Sequence, residues 1–545
     1  MPEPLLLRNA RVLTQNPSAP YADSVYIEAG RIVYVGPESA LSVPHVGVRV
    51  IDLDGKSLIP GFNDCHMHIL PYGLDLAKAD LSPAAGVLSV PSLIKALREW
   101  VTVNPRSEWA LGNRYDQNTF PGAAHPTKWE LDAAFPDRPV MLMQTSKHAG
   151  TANSVALRLA GITRETPDPD AGEIVRDSNG EATGVLLETA VELVSRLVPI
   201  PDKAGLVAAI QRANAELVKA GVTSASDLNT GWLDMRTEIG CYVQAANEGA
   251  PVRTTLFPDT PQFGKPEDVP NRDAFLADTA LRGAESAILG GVRLGAAKLF
   301  SDGALTVRTA AMREPYVDGG GVGMLLHPPE ELSAYISTAH ARGWQVAVHA
   351  IGDRAVELVL DCYRDAQSRN PRPGARQRVE HAMLLDQELV RRFKEQEVIP
   401  VIQPEFITRL GDAYVLGLGL ERASRLNPVA TLQRAGISVP FSSDCPIVPG
   451  KPLDGIRAAV RRVTRSGRRL GAEEETPAAA ALRNYTYWAA YASFDEGEAG
   501  TIAPGMRADL TVLSGDPTED NGLDSIEVVA TIVGGEVVYG ADGLE

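Results

Sequence analysis

Six residues of this 545-residue chain have the side chains of a metal centre. His66 and His68 stand two apart in PGFNDCHMH, and on a strand that spacing turns both imidazoles to one face. His349 and His381 each close a short apolar run, in WQVAVHA and QRVEHA, and Asp444 closes another in ISVPFSSD. Lys298 lies in GVRLGAAKLF. One at a time, each has a plainer explanation: a satisfied core histidine, a turn aspartate, a lysine snorkelling from a strand end. Together they would be six unrelated coincidences at the ends of apolar runs. Four imidazoles and a carboxylate without a thiolate suit zinc, or less specifically manganese, iron, cobalt or nickel. Lys298 is the odd member, because an ammonium is repelled by a metal ion. Carbamylation by CO2 would turn it into an anionic carboxylate able to bridge two ions.

The runs that carry these residues are part of a longer alternation. Eight apolar segments, at 57–68, 221–227, 251–257, 291–300, 344–350, 377–382, 398–404 and 437–444, are separated by helix-length stretches such as 203–220 and 329–343. Eight successive βα units predict an α/β fold, a (β/α)8 TIM barrel of residues 58–501 with its site at the strand C-terminal ends. About 150 residues separate the first two strands, far more than a crossover needs, so 70–200 reads as an inserted cap, with a hairpin turn at Asn179-Gly180. The two ends carry short strand-like runs, including one pair about Gly534-Gly535. Either end alone would make a marginal core. Residues 1–57 and 502–545 are therefore expected to share one small β-sandwich domain.

Composition narrows the function classes. Asp and Glu outnumber Lys and Arg by 69 to 52, a formal charge of −17, which disfavours nucleic acid and anionic membrane as partners. No apolar run approaches the roughly 20 residues of a membrane span, and the first residues read as a strand rather than a secretory leader. Four cysteines are too few and too scattered for a disulfide framework. The expectation is a soluble, cytoplasmic protein acting on a small molecule.

The segments PGFNDCHMH, KLFSDGAL, VHAIGDRAV, RVEHA and SSDCP, together with GNRYDQN, HAGTANSVAL and the tail NYTYWAAYASFDEGEAGTIAPGMRADLTVL, resemble the metal-dependent amidohydrolase superfamily. The likeness is nearest to amidohydrolase family 3, the branch that includes N-substituted formamide deformylases. It implies that His66, His68, His349 and His381 bind metal, that Lys298 is the carbamylated bridge of a binuclear zinc centre, and that Asp444 is both ligand and proton shuttle. The implied activity is hydrolysis of an amide-like C–N bond in an N-formyl, N-acyl or carbamate-type small molecule by a metal-activated hydroxide. Alternatives are a mononuclear deaminase-type enzyme, which would not need Lys298, an ester or carbamate hydrolase, and a silent scaffold, which would be expected to have lost ligands. Homodimers are common in the superfamily.

Tyr115, Asp116, His148, Asn153 and Asp302 are candidates for the substrate pocket, each with a loop or cap hydrogen bond as the plainer role. Cys65 reads as a small core residue and Cys445 as a residue able to line the pocket. Asp353 and Arg354 read as structural. The six arginines of 456–470 read as a solvated helix face.

Overall fold

The computed structural model describes residues 3–41, 47–284 and 290–544. The fold is mixed α/β, and its centre is two arcs of parallel strands. One arc runs in the order Val292–Leu294, Arg253–Pro258, Val222–Thr230, Phe62–Met67. The other runs Ala297–Phe300, Val346–Ala350, Arg378–His381, Ile399–Val401. We label seven of these eight strands in chain order, leaving the short Val292–Leu294 unnumbered, as β1 (Phe62–Met67), β2 (Val222–Thr230), β3 (Arg253–Pro258), β4 (Ala297–Phe300), β5 (Val346–Ala350), β6 (Arg378–His381) and β7 (Ile399–Val401). They read as unbroken apolar runs because parallel strands are covered on both faces; all five residues of β5 and all four of β6 are buried. A parallel bridge between Asp259 and Lys298 joins the arcs on one side.

Two of the expected strands are split at glycines that admit no side chain. At Gly61 a Cβ would lie 2.1 Å from Thr223 Oγ1. Ser57–Pro60 therefore pairs with Leu510–Leu513, and only β1 enters the parallel arc. At Gly295 a Cβ would lie 2.4 Å from the Phe257 ring, and Val292–Leu294 parts from β4 there. The expected strand 437–444 makes no regular ladder. Pro440 has no N–H to give, and Asp444 turns into the left-handed region at φ 59°. Its backbone is nevertheless bonded on both sides. Ser442 N–H donates to Ile402 O at 3.1 Å, Asp444 N–H to His66 O at 2.8 Å, and His68 N–H to Cys445 O at 2.8 Å.

Helices between the strands sit where periodicity predicts, at Lys203–Lys219 (capped by Asp202) and Pro329–Ala341. Asp353–Arg369 lays Val356, Val359, Leu360 and Tyr363 against the strands. None is long and apolar enough to cross a membrane.

Both chain ends meet in one six-stranded sheet, where Val528–Val533, Leu510–Leu513, Ser57–Pro60 and Arg11–Leu13 are successive neighbours. Gly534 and Gly535, at φ 57° and 81°, make its closing two-residue turn. A four-stranded sheet of Leu5–Arg8, Ser24–Glu28, Arg31–Gly36 and Arg49–Asp52 shares an apolar cluster with it, including Leu7, Ile32, Leu58, Leu510 and Ile532. Residues between Ala79 and Glu188 form a separate six-stranded sheet with apolar clusters of its own. Its hairpin turns over 177–181, with Gly180 at φ 81°.

Of the six arginines of 456–470, Arg465, Arg468 and Arg469 are exposed as expected, and two are committed to backbone. Arg462 is buried and donates to the carbonyls of Leu426, Asn427 and Leu470, while Arg457 holds those of Leu523 and Ile526.

Candidate metal centre

The parallel strands deliver His66, Lys298, His349 and His381 to one end of the two arcs, where His68, just past β1, and Asp444, in the irregular segment after Phe441, join them. His66 near the end of β1 and His68 just past it, two residues apart, both present Nε2 to Asp444 Oδ1, at 3.2 and 3.1 Å. The His66 and His381 rings lie 4.9 Å apart, and those of His381 and His349 4.5 Å apart. His381 and Asp444 hold positive φ angles, 76° and 59°, which are uncommon for residues with a Cβ. Such angles concentrate where side-chain aim matters more than backbone comfort.

Partners on the outer side fix which nitrogen of each ring faces inward. His66 Nδ1 is 2.7 Å from Glu380 Oε2, and Glu380 is gripped by Arg378 at 2.7 and 3.0 Å. His381 Nδ1 is 2.8 Å from Gln403 Oε1, whose amide donates to Ser442 Oγ. His349 spends Nε2 on the Gly303 carbonyl at 3.1 Å. Asp227 takes the N–H groups of Ile69 and Leu70 and the Tyr242 hydroxyl, fixing the turn just after His68. Outer-shell bonds of this kind set the tautomer and orientation of metal-binding histidines. Sequence reasoning singled out none of Glu380, Arg378, Gln403 and Asp227. The Glu immediately before His381 was a usable signal, since a buried strand tolerates a charge only when it is paired.

The electrostatics call for a cation. Asp444 Oδ1 is buried and, among the described residues, no aligned hydrogen bond reaches it. Burial works against ionisation of Asp444, but His66, His68 and His381 outweigh it and hold the carboxyl well below the usual range. Burial, with Asp444 only partly compensating, pushes His381 down to about 3, and burial with His381 and Lys298 pushes His349 well below its ordinary value. Both are neutral imidazoles, the form that binds metal. Lys298 is fully buried, its Nζ finds no hydrogen-bond partner among the described residues, and burial pushes its pKa down to about 8. A buried carboxylate oxygen facing two imidazole nitrogens fits a divalent ion, whereas the Lys298 amine fits one only once its positive charge is removed. The ligand atoms of His66, His68 and Asp444 lie within 4.8 Å of one another.

Of the five pocket candidates, one lines the cavity beside this cluster. That residue is His148, with Ser146, Leu305, Thr306, Ile351, Phe406, Tyr414 and Ile447 around it. Asp302 is buried, its carboxylate spent on the N–H groups of Ile351, Gly352 and Ala311. Tyr115 is buried in the 79–188 unit, bonded to His125 and Thr151. Asp116 caps Asn118. Asn153 caps the helix Ser154–Leu159 and donates to the carbonyls of Phe135 and Arg138. Cys445 is fully buried and is not among the lining residues; Cys65 is buried with Sγ against the Phe441 carbonyl. Asp353 accepts from Arg313 N–H.

Comparison with known proteins identifies the family. The model of the amidohydrolase family matches residues 49–539. YtcJ of Bacillus subtilis (strain 168) is 34% identical over 527 residues, 95% of this chain and 96% of its own. N-substituted formamide deformylase of Arthrobacter pascens is 29% identical over 555 residues, 99% of each chain. A solved structure of an uncharacterized metal-dependent hydrolase from Pyrococcus horikoshii OT3 superposes with a TM-score of 0.74 at 26% identity, covering 94% of this chain and 98% of that one. With a family match over most of its length and a metal-ready histidine cluster at its centre, this chain belongs to the amidohydrolase family.

Proposed function

We propose that this protein is a metal-dependent hydrolase that cleaves an amide-like C–N bond in a small, neutral N-formyl, N-acyl or carbamate-type compound. The observation that carries the reading is the convergence of His66 and His68 Nε2 on Asp444 Oδ1, with His349, His381 and the unpaired Lys298 amine alongside. The two arcs, tied through Ile402, Ser442, Asp444 and His66, would close as a (β/α)8 barrel. The unit between 70 and 200 would be the cap over it, and the paired chain ends a β-sandwich beside it.

A divalent ion held by the four histidines and Asp444, most simply zinc and two per chain, supplies an acidified water and a pull on the substrate carbonyl. Lys298, as its neutral amine, would form an N–C bond to CO2 and release one proton, and the resulting carbamate would serve as a further ligand. That removes the difficulty of a buried, unpaired ammonium. Asp444, beside His66 and His68, accepts the proton of the attacking water. It returns it to the leaving nitrogen as the C–N bond breaks, giving an acid and an amine. A one-ion reading leaves the Lys298 amine unexplained. No Lys or Arg is among the cavity's described lining residues, which disfavours substrates carrying a carboxylate there.

The test is to strip metal with a chelator, reload with zinc and bicarbonate, and measure amine release from neutral formamides, acetamides and carbamates. Cleavage lost on stripping and restored on reloading is the expected result. Cleavage of none by reloaded protein, or cleavage indifferent to the chelator, overturns the reading.

A further inference from the structure

His148 comes from the 79–188 unit and not from the parallel strands, yet its ring stands 5.6 Å from that of His349 in the cavity. Its outer nitrogen, Nδ1, is held 2.7 Å from Glu188 Oε2, and the Glu188 side chain is only 4% exposed. The chain bends hard to make this pair. Glu188 adopts φ 50°, ψ −128°, and Lys147, just before His148, has φ 66°. Both lie outside the regions favoured for residues with a Cβ, and strain of this kind persists where a functional geometry needs it. Gly303 makes room for the pair: a Cβ there would lie 2.5 Å from Glu188 Oε1. With Nδ1 occupied, Nε2 is the ring nitrogen left to act, and no hydrogen bond to it is found among the described residues.

The order of the rings says what it could act on. Neighbouring pairs run His68, His66, His381, His349, His148; Asp444 lies against His66 and His68, and His148 reaches the same cavity from beside His349. We infer that His148, oriented by Glu188, is a catalytic residue that donates its Nε2–H to the carbonyl oxygen of the substrate, while Asp444 handles the proton of the water. The inference rests on the hydrolase reading above. It gives the cap unit a part in the chemistry: as the doubly protonated imidazolium, the ring gives Nδ1–H to the Glu188 carboxylate and Nε2–H to the oxygen on which charge develops, and it keeps both protons throughout. Glu188 is a positioning residue.

The experiment compares parent, His148→Ala, Glu188→Gln and Glu188→Ala, all zinc-reloaded, on formanilides whose ring substituents vary the basicity of the leaving amine. Binding of a phosphonamidate, a tetrahedral anion resembling the addition state, is measured by calorimetry in parallel. The expected result for His148→Ala is a fall of about 100- to 1,000-fold in kcat, the usual effect of losing one oxyanion donor. Metal content should be unchanged, phosphonamidate binding should weaken similarly, and the dependence of rate on leaving-amine basicity should stay the same. Glu188→Ala should lower kcat at constant KM, with Glu188→Gln, which can still accept from Nδ1–H, intermediate. Unchanged kcat and anion binding in His148→Ala overturns the inference alone. So does a steeper dependence on leaving-amine basicity, which makes His148 the acid for nitrogen, or a loss of metal, which makes it a ligand. A parent that loads metal yet cleaves no amide overturns the hydrolase reading and this inference with it.

Discussion

Replacing Glu380 by Gln separates the two things this side chain does. Its oxygens lie 2.7 and 3.0 Å from the Arg378 guanidinium and 2.7 Å from His66 Nδ1, and both Arg378 and Glu380 are wholly buried. Arg378 has one further acceptor, the Cys65 carbonyl, and the Phe257 ring 4.9 Å from its charge. An amide leaves that cation without a counter-charge in a region water does not reach. Breaking one side of such a pair costs about 3–5 kcal/mol of stability. It also weakens the hold on His66, and losing an outer-shell carboxylate lowers metal affinity by about 10- to 100-fold. Urea denaturation of metal-free protein reads the first effect, and competition with a fluorescent chelator reads the second. The double variant Arg378→Met/Glu380→Leu removes both charges, so it should regain most of the stability and none of the metal affinity. A Glu380→Gln protein with parental denaturation midpoint and parental affinity would refute the reasoning, as would a double variant that recovers affinity together with stability.

Three other perturbations have defined outcomes. Asp509→Asn removes the nearest of the carboxylates around Arg253, 2.6 Å away in a buried pair joining the terminal sheet to β3, while Asp495 and Glu498 remain; it should cost about 1.5–3 kcal/mol by urea denaturation. Gly61→Ala drives a methyl into Thr223 and should cost about 1–3 kcal/mol, partly recovered by adding Thr223→Gly, as read by thermal shift. Glu405 is pushed up to about 8 by burial, with Asp454 adding to it and Arg409 only partly opposing. Its folded value therefore exceeds its unfolded value of about 4.3, so the folded chain holds the extra proton and stability falls as pH rises from there through about 8. Glu405→Gln should flatten that fall between pH 5 and 9; an unaltered slope contradicts the assignment.

What the sequence revealed, and what it hid, follows from range. The βα alternation, the period-2 pair His66/His68 and the Gly534-Gly535 turn are local patterns, and each is found at its place. The splits at Gly61 and Gly295 were hidden because their cause is a neighbour distant in sequence, Thr223 or Phe257. So was the commitment of Arg462 to three carbonyls, which no charge pattern announces. Asp302, Tyr115, Asp116 and Asn153 have side chains suited to binding substrate, but backbone and neighbouring groups already use them. Glu188 was invisible for a further reason. Its importance lies in a strained backbone and a partner 40 residues away, neither of which has a sequence signature.

The central claim is that Lys298 and Asp444 complete a centre for two ions. Its most direct test is metal per chain by mass spectrometry on protein reloaded with zinc and 13C-bicarbonate, alongside Lys298→Ala, with 13C NMR of the same samples. The account predicts two equivalents and a carbamate carbon signal in the parent, with no such signal and at most one equivalent in the variant. One equivalent in both proteins with no carbamate signal would contradict it, and no metal in either would remove its foundation.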